Sequence, residues 1–198
     1  MPSLFDSLPA KAGFCVVVTA LVTGAGVLFA SPSRHAATPA ADPLADRLGS
    51  VDTTTMTVRR ASFCAAVPDA TAAIALGSAV TDHTTWQPGE RTRLGRVDDV
   101  LDEYGCSWTA ASGASARAWV FAPPVTPARA TALRKDAPAG CRPLAAMPAF
   151  GAQTSALTCG EQTLVRGRFG DAWLSCELSD DDVDRVGRWC LAVARAAA

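Results

Sequence analysis

Six cysteines constrain this chain more than any other feature. Cys64, Cys106, Cys141, Cys159, Cys176 and Cys190 all lie beyond an uncharged run, AGFCVVVTALVTGAGVLFA, that spans Ala12 to Ala30. At a helical rise of about 1.5 Å per residue that run reaches roughly 28 Å, enough to cross a bilayer core. It follows Lys11 near the chain start, as an export segment does. The run is long for a cleaved signal, and Leu28 is bulky for the position two before a cut at Ala30. An uncleaved anchor over residues 12–30 is therefore expected, with cleavage and secretion as the alternative. Lys11 is the only side-chain cation ahead of the span, which puts residues 1–11 in the cytoplasm and the C-terminal part outside. Cys15 opens the run behind Phe14, whereas a lipid-accepting cysteine closes one behind a small residue; it reads as a small apolar residue of a membrane helix.

An even set of cysteines in an exported domain is a disulfide framework, here of three bridges. No C-x-x-C occurs, and His83 alone cannot complete a Cys/His site, so neither a metal nor another cofactor is expected. Residues 31–58 are rich in Pro, Ala and Thr without sustained periodicity and read as an extended tether that includes His35. The folded domain is expected over residues 59–198.

Within it, Thr163–Phe169 and Ala172–Leu178 flank a Gly170–Asp171 turn and read as a hairpin. That turn sets Phe169 opposite Ala172, Gly167 opposite Leu174 and Val165 opposite Cys176, an apolar face. Arg168 with Trp173 and Arg166 with Ser175 fall on the other face. Ser179 followed by Asp182 reads as the start of a helix rather than a calcium loop, which would need a turn glycine and a distal glutamate. Val183, Val186, Cys190 and Val193 share one face of that helix. Cys190 and Cys176 then both point into the core and are expected to pair. Cys141 and Cys159 are neighbours across a loop containing Pro and Gly, and Cys64 is left for Cys106.

A second, weakly similar half precedes this one. Gly105–Ala110 and the strand through Ala118–Trp119–Val120 form a hairpin, and Thr126–Pro127 caps a short helix to about Lys135. A first helix lies near Ser62–Leu76, regular from Pro68 and closed by Gly77. The stretch Ser78–Asp98 reads as a long loop. The class expected is α+β: an antiparallel sheet of two hairpins with helices packed on one face, stapled by disulfides and preceded by one membrane helix.

The run Cys64-Ala-Ala-Val-Pro-Asp-Ala-Thr-Ala-Ala-Ile-Ala-Leu-Gly77, followed by Cys106-Ser-Trp108, resembles a family of actinobacterial exported cell-envelope proteins of unknown function. These are similar to the mycobacterial LpqN-type lipoproteins and to some kinase sensor ectodomains. The resemblance covers residues 60–125. It implies an α+β fold and a bond from the cysteine opening the first helix to that of the C-x-W strand, and it supplies no catalytic residues. The chain departs from it in lacking a lipidation cysteine and in carrying four further cysteines.

A net charge of −1 argues against a nucleic-acid partner, which needs a basic surface to neutralise phosphates. No G-x-S-x-G and no phosphate-binding glycine motif occurs, and the carboxylates cluster at helix starts and loops, as at Asp98–Asp99 and Asp180–Asp182. Lysine is confined to Lys11 and Lys135 and asparagine is absent, a composition expected of a high-GC bacterial genome. The function expected is a membrane-tethered, non-catalytic binding or sensory domain of a bacterial cell envelope. The alternative is an envelope enzyme with an unrecognised carboxylate site. The partners expected are the membrane, through the first helix, and an envelope glycan, lipid or protein.

A partner would meet the sheet face that the helices leave open. A three-residue loop, Ser112–Gly113–Ala114, pairs Cys106 with Val120 and Trp108 with Ala118 and keeps Arg117 out of the core. Arg117, Trp119 and Phe121 then join Arg166, Arg168 and Trp173 as the candidate binding face. The competing expectation is that the tether or the Ser78–Asp98 stretch covers this face.

Overall fold

The structure, a computed structural model, describes residues 42–94 and 97–198. The expected membrane segment at 12–30 lies outside them, and among the described residues no helix is long and apolar enough to cross a membrane. The elements in chain order are α1 (Asp69–Leu76), β1 (Val80–Trp86), β2 (Arg91–Leu94), β3 (Val97–Val100), β4 (Glu103–Ala110), β5 (Ser115–Phe121), α2 (Pro127–Lys135), β6 (Cys141–Pro143), β7 (Ala152–Cys159), β8 (Gln162–Phe169), β9 (Ala172–Leu178) and α3 (Val183–Ala197). Seven strands form one antiparallel sheet in the order β1-β4-β5-β9-β8-β7-β6, and β2 and β3 pair separately.

The α+β class is as expected, and the two expected hairpins, β4–β5 and β8–β9, make the centre of the sheet. The strand count is larger. The stretch Ser78–Asp98 is not a loop: it contains the edge strand β1 and most of the β2–β3 hairpin. Strand β1 pairs only with β4, and Thr81 through Thr85 are exposed. An edge strand wet on both faces has no apolar alternation to betray it; its signal is the β-branched content of VTDHTTW.

The inner sheet face is apolar because every second residue of the central strands is. Ala116, Ala118 and Val120 of β5, Leu174, Cys176 and Leu178 of β9, and Val165 and Phe169 of β8 are buried. Against them α3 lays Val186, Trp189, Cys190, Val193, Ala194 and Ala197, while α1 adds Ala72 and Ala75. The Trp108 and Trp189 rings meet edge to face at 5.3 Å, and Trp189 Nε1–H donates to the Glu177 carbonyl. Helix α1 ends where expected, with Gly77 at φ 64° donating its N–H to the last turn. Helix α3 starts later than expected. Asp182, not Ser179, is its cap, accepting from the N–H groups of Asp184 and Arg185. Ser179 instead prolongs the β5–β9 pairing, its hydroxyl accepting from Ser115 N–H.

The hairpin β8–β9 has the expected register, Val165 opposite Cys176 and Arg166 opposite Ser175. The β4–β5 hairpin is displaced by two residues: Cys106 faces Ala118, not Val120, and Trp108 faces Ala116, not Ala118. Glycine is the cause. The loop is Ala111–Ser112–Gly113, closed by Ala110 N–H to Ala114 O, and Gly113 at φ 86° takes the left-handed last position that a three-residue loop demands. A slip of two preserves sidedness, so Arg117 and Trp119 still leave the core.

All three disulfides are those expected: Cys64–Cys106, Cys141–Cys159 and Cys176–Cys190. The denatured, unreduced chain is expected to titrate one thiol, Cys15; a second free thiol would contradict the three-bridge framework. Replacing Cys176 and Cys190 together by alanine is expected to lower stability by about 2–4 kcal/mol in non-reducing urea titrations.

Two further corrections concern what covers the sheet. Residues 42–58 are not a tether. Leu44, Leu48 and Val58 are core residues, Arg188 Nη1 donates to the Leu44 carbonyl, Arg195 pairs with Asp46 at 2.6 Å, and Arg59 N–H donates to Ala197 O. They form a strap on α3. The helices also do not all share one face. Helix α2 packs on the opposite side, where Val125, Ala130 and Leu133 bury Trp173.

Candidate functional site

The outer sheet face carries the polar chemistry of the domain. Its residues are the complement of the apolar set: Glu103, Gly105 and Ser107 of β4, Arg117, Trp119 and Phe121 of β5, Trp173, Ser175 and Glu177 of β9, and Arg166 and Arg168 of β8. The pairing lines up one cross-strand row, Trp86–Gly105–Trp119–Ser175–Arg166–Ser155. Among the described residues, three buried side-chain polar atoms have no hydrogen-bond partner: Trp86 Nε1, Ser175 Oγ and Arg166 Nε. All three belong to this row.

The six residues expected to form the binding face divide between its two halves. Trp173 is 1% exposed and belongs to the α2 cluster, and Phe121 packs against that cluster. Arg166 is buried too, its Nη2 donating to the Asp136 carbonyl at the end of α2. Arg168 turns aside to donate to Gln153 Oε1, and Gln153 in turn donates to Pro127 O and Thr131 Oγ1 of α2. These four residues hold α2 in place. Neither the strap nor the Ser78–Asp98 stretch covers Trp173; α2 does. Arg117 and Trp119 lie on the other half of the face, where they line a cleft.

That cleft, of about 640 Å³, is bounded by Trp86, Glu103, Ser107, Arg117 and Trp119, with Glu90 and Arg91 at the start of the β2–β3 hairpin on its rim. Trp86 reaches it because Gly105 has no side chain: a Cβ there would stand 2.3 Å from the indole ring, which therefore lies over β4. Sequence reasoning missed Trp86, Glu103 and Ser107. The available signal was Gly105 inside a strand pattern, which marks close approach by another group.

Two carboxyls on this face are perturbed. Burial raises the pKa of Glu103 above its ordinary 4.5, the Trp86 indole N–H beside its carboxyl opposes the rise, and Asp102 and Asp99 add to it. Burial also raises that of Glu177, and the Arg117 guanidinium 3.6 Å away draws it back down. Between the ordinary and the raised value, the folded protein binds more protons than the unfolded chain, so these groups make stability fall as pH rises through that window. Glu103→Gln is expected to flatten part of this fall, measured as urea midpoints from about pH 4 to about pH 7. A variant declining as steeply as the parent would show that Glu103 is solvated.

His83 lies on the inner side. Its Nδ1 is 2.9 Å from Asp69 Oδ1, its ring stacks on Trp108 at 4.7 Å, and Trp108 Nε1–H donates to the same carboxylate oxygen. Asp69 thus holds Trp108 and His83 at the first turn of α1. Among the described residues, no three His, Cys, Asp or Glu side chains gather as a metal site.

No known protein family, curated protein or solved structure matches this chain.

Proposed function

We propose that the protein is a membrane-tethered, extracytoplasmic binding or sensory domain of a bacterial cell envelope, non-catalytic, with the outer-face cleft as its ligand site. The observation that carries this reading is the cleft itself: two half-buried tryptophans, a half-buried carboxyl and a guanidinium converge on one concave surface of a cross-linked domain. Three disulfides suit maturation in an oxidising compartment. The likeness of Cys64–Gly77 and Cys106-Ser-Trp108 to exported actinobacterial proteins points the same way.

The spacing of the perturbed carboxyls favours binding over hydrolysis. Glu103 and Glu177 stand four residues apart along the strand direction and two strands apart across the sheet. Their backbone positions are thus about 16 Å apart at ordinary strand spacings, and the Glu177 carboxyl is turned to Arg117, so the two do not stand as an acid–base pair.

Two measurements test the proposal. Protease added to intact, wall-stripped cells is expected to remove the domain, and protection of the domain would overturn the topology. Fractionated envelope fragments are expected to bind saturably without being consumed. Turnover of any fragment would favour the enzyme.

A further inference from the structure

We infer that the cleft over β1, β4 and β5 takes a neutral saccharide, one sugar ring resting against Trp86 and Trp119. This rests on the reading of the cleft as the ligand site. Trp119 and Trp86 occupy the same cross-strand row on either side of Gly105, and the Trp86 ring fills the space above that glycine. The two indoles thereby line the same cleft where the sheet would otherwise be a bare backbone. A pyranose ring presents an apolar C–H face that suits such a lining and an edge of hydroxyls, each both donor and acceptor.

The rest of the lining matches that edge. Glu103 accepts, Arg117 donates, and Ser107 and Thr84 do both. Charge argues against other classes of ligand. Arg117 is already engaged by Glu177, so Glu90 and Glu103 outnumber the remaining cation, Arg91, and the cleft has no positive field with which to select an anion. Four charged side chains and the hydroxyls also make it a poor seat for an acyl chain, which gains nothing from them and would leave them desolvated. The volume of about 640 Å³ falls in the range of small-molecule sites, about 300–1,000 Å³.

The molecule supplies its own reporter. Of its five tryptophans, Trp108, Trp173 and Trp189 are fully buried, and only Trp86 and Trp119 are half-buried in the cleft. The full chain, in a detergent without a sugar headgroup, is titrated with chitotetraose, cellotetraose and maltotetraose while acrylamide quenching is followed. An alanine-rich peptide and anionic phospholipid vesicles serve as the other arms. At least one tetrasaccharide is expected to shield the two tryptophans saturably. Trp119→Ala is expected to weaken that binding at least tenfold and the isosteric Glu103→Gln severalfold, both with unchanged far-UV circular dichroism. Shielding by peptide or vesicles and by no tetrasaccharide overturns the saccharide while leaving the ligand site standing. Shielding by none of the probes overturns the saccharide and counts against the site as well. Saccharide binding that both variants retain places the ligand elsewhere and overturns the inference.

Discussion

Trp173→Ala is expected to destabilise the domain by about 3–5 kcal/mol, the cost of removing a fully enclosed indole, whereas Trp119→Ala should cost about 1 kcal/mol or less. The two residues look alike in sequence: Ala118-Trp119-Val120 and Ala172-Trp173-Leu174 each lie in a hairpin return strand, and both point to the outer face. What separates them is α2. Thr126 caps that helix by accepting Arg129 N–H, Pro127 starts it, and Ala130 and Leu133 then close over Trp173. Urea titrations of the two variants under non-reducing conditions decide the matter. Equal midpoints would mean that α2 does not seal its half of the face. A loss with Trp119→Ala as large as with Trp173→Ala would turn the cleft wall into ordinary core.

Gly167→Ala should be nearly as severe, at about 3 kcal/mol or more. A Cβ at Gly167 would lie 1.6 Å from the Phe150 carbonyl oxygen and 2.8 Å from its carbon, so a backbone must move. That backbone is held firmly. Phe150 is fully buried edge-on to Phe169, its N–H donates to Thr154 Oγ1, and Thr53 Oγ1 bonds to both Ala149 O and Gly151 N. The same substitution at Gly105 meets only the Trp86 ring, which can swing away. Gly105→Ala should therefore cost about 1 kcal/mol while pushing Trp86 out of the cleft, and its acrylamide quenching should rise. If thermal melts rank the two variants the other way, the close approach at Gly167 is wrong.

The contrast between those glycines marks how far sequence alone could go. Where both partners of a contact are written as periodic pattern, the reading was good. The β8–β9 register, the faces of Cys176 and Cys190, the caps of α1 and α2 and the Cys176–Cys190 and Cys141–Cys159 pairs follow from period and spacing, and Cys64–Cys106 is what those two pairs leave. It failed where burial is created by a distant segment. Leu44 and Leu48 sit among Pro, Ala and Asp with no period, and only α3 makes them core. Strand β1 is specified by backbone pairing to β4, not by an apolar face of its own. Two of the five residues that bound the candidate site were legible, Arg117 and Trp119, because strand parity turns them outward. Trp86 was not, because it belongs to an edge strand that the pattern does not announce, and without it Glu103 and Ser107 of β4 have no cleft to line.

The strap over α3 also determines how the domain responds to force. A pull on its amino-terminal side enters at residues 44–47, where Arg188 and Arg195 grip the chain from α3. These contacts share the load with α3 and, through Cys190, with Cys176 on β9, the middle strand of seven. Along the backbone the same strap leads to Cys64 and its bridge to Cys106 on β4. A pull from that side is thus spread over two interior strands of the sheet and does not peel an edge strand.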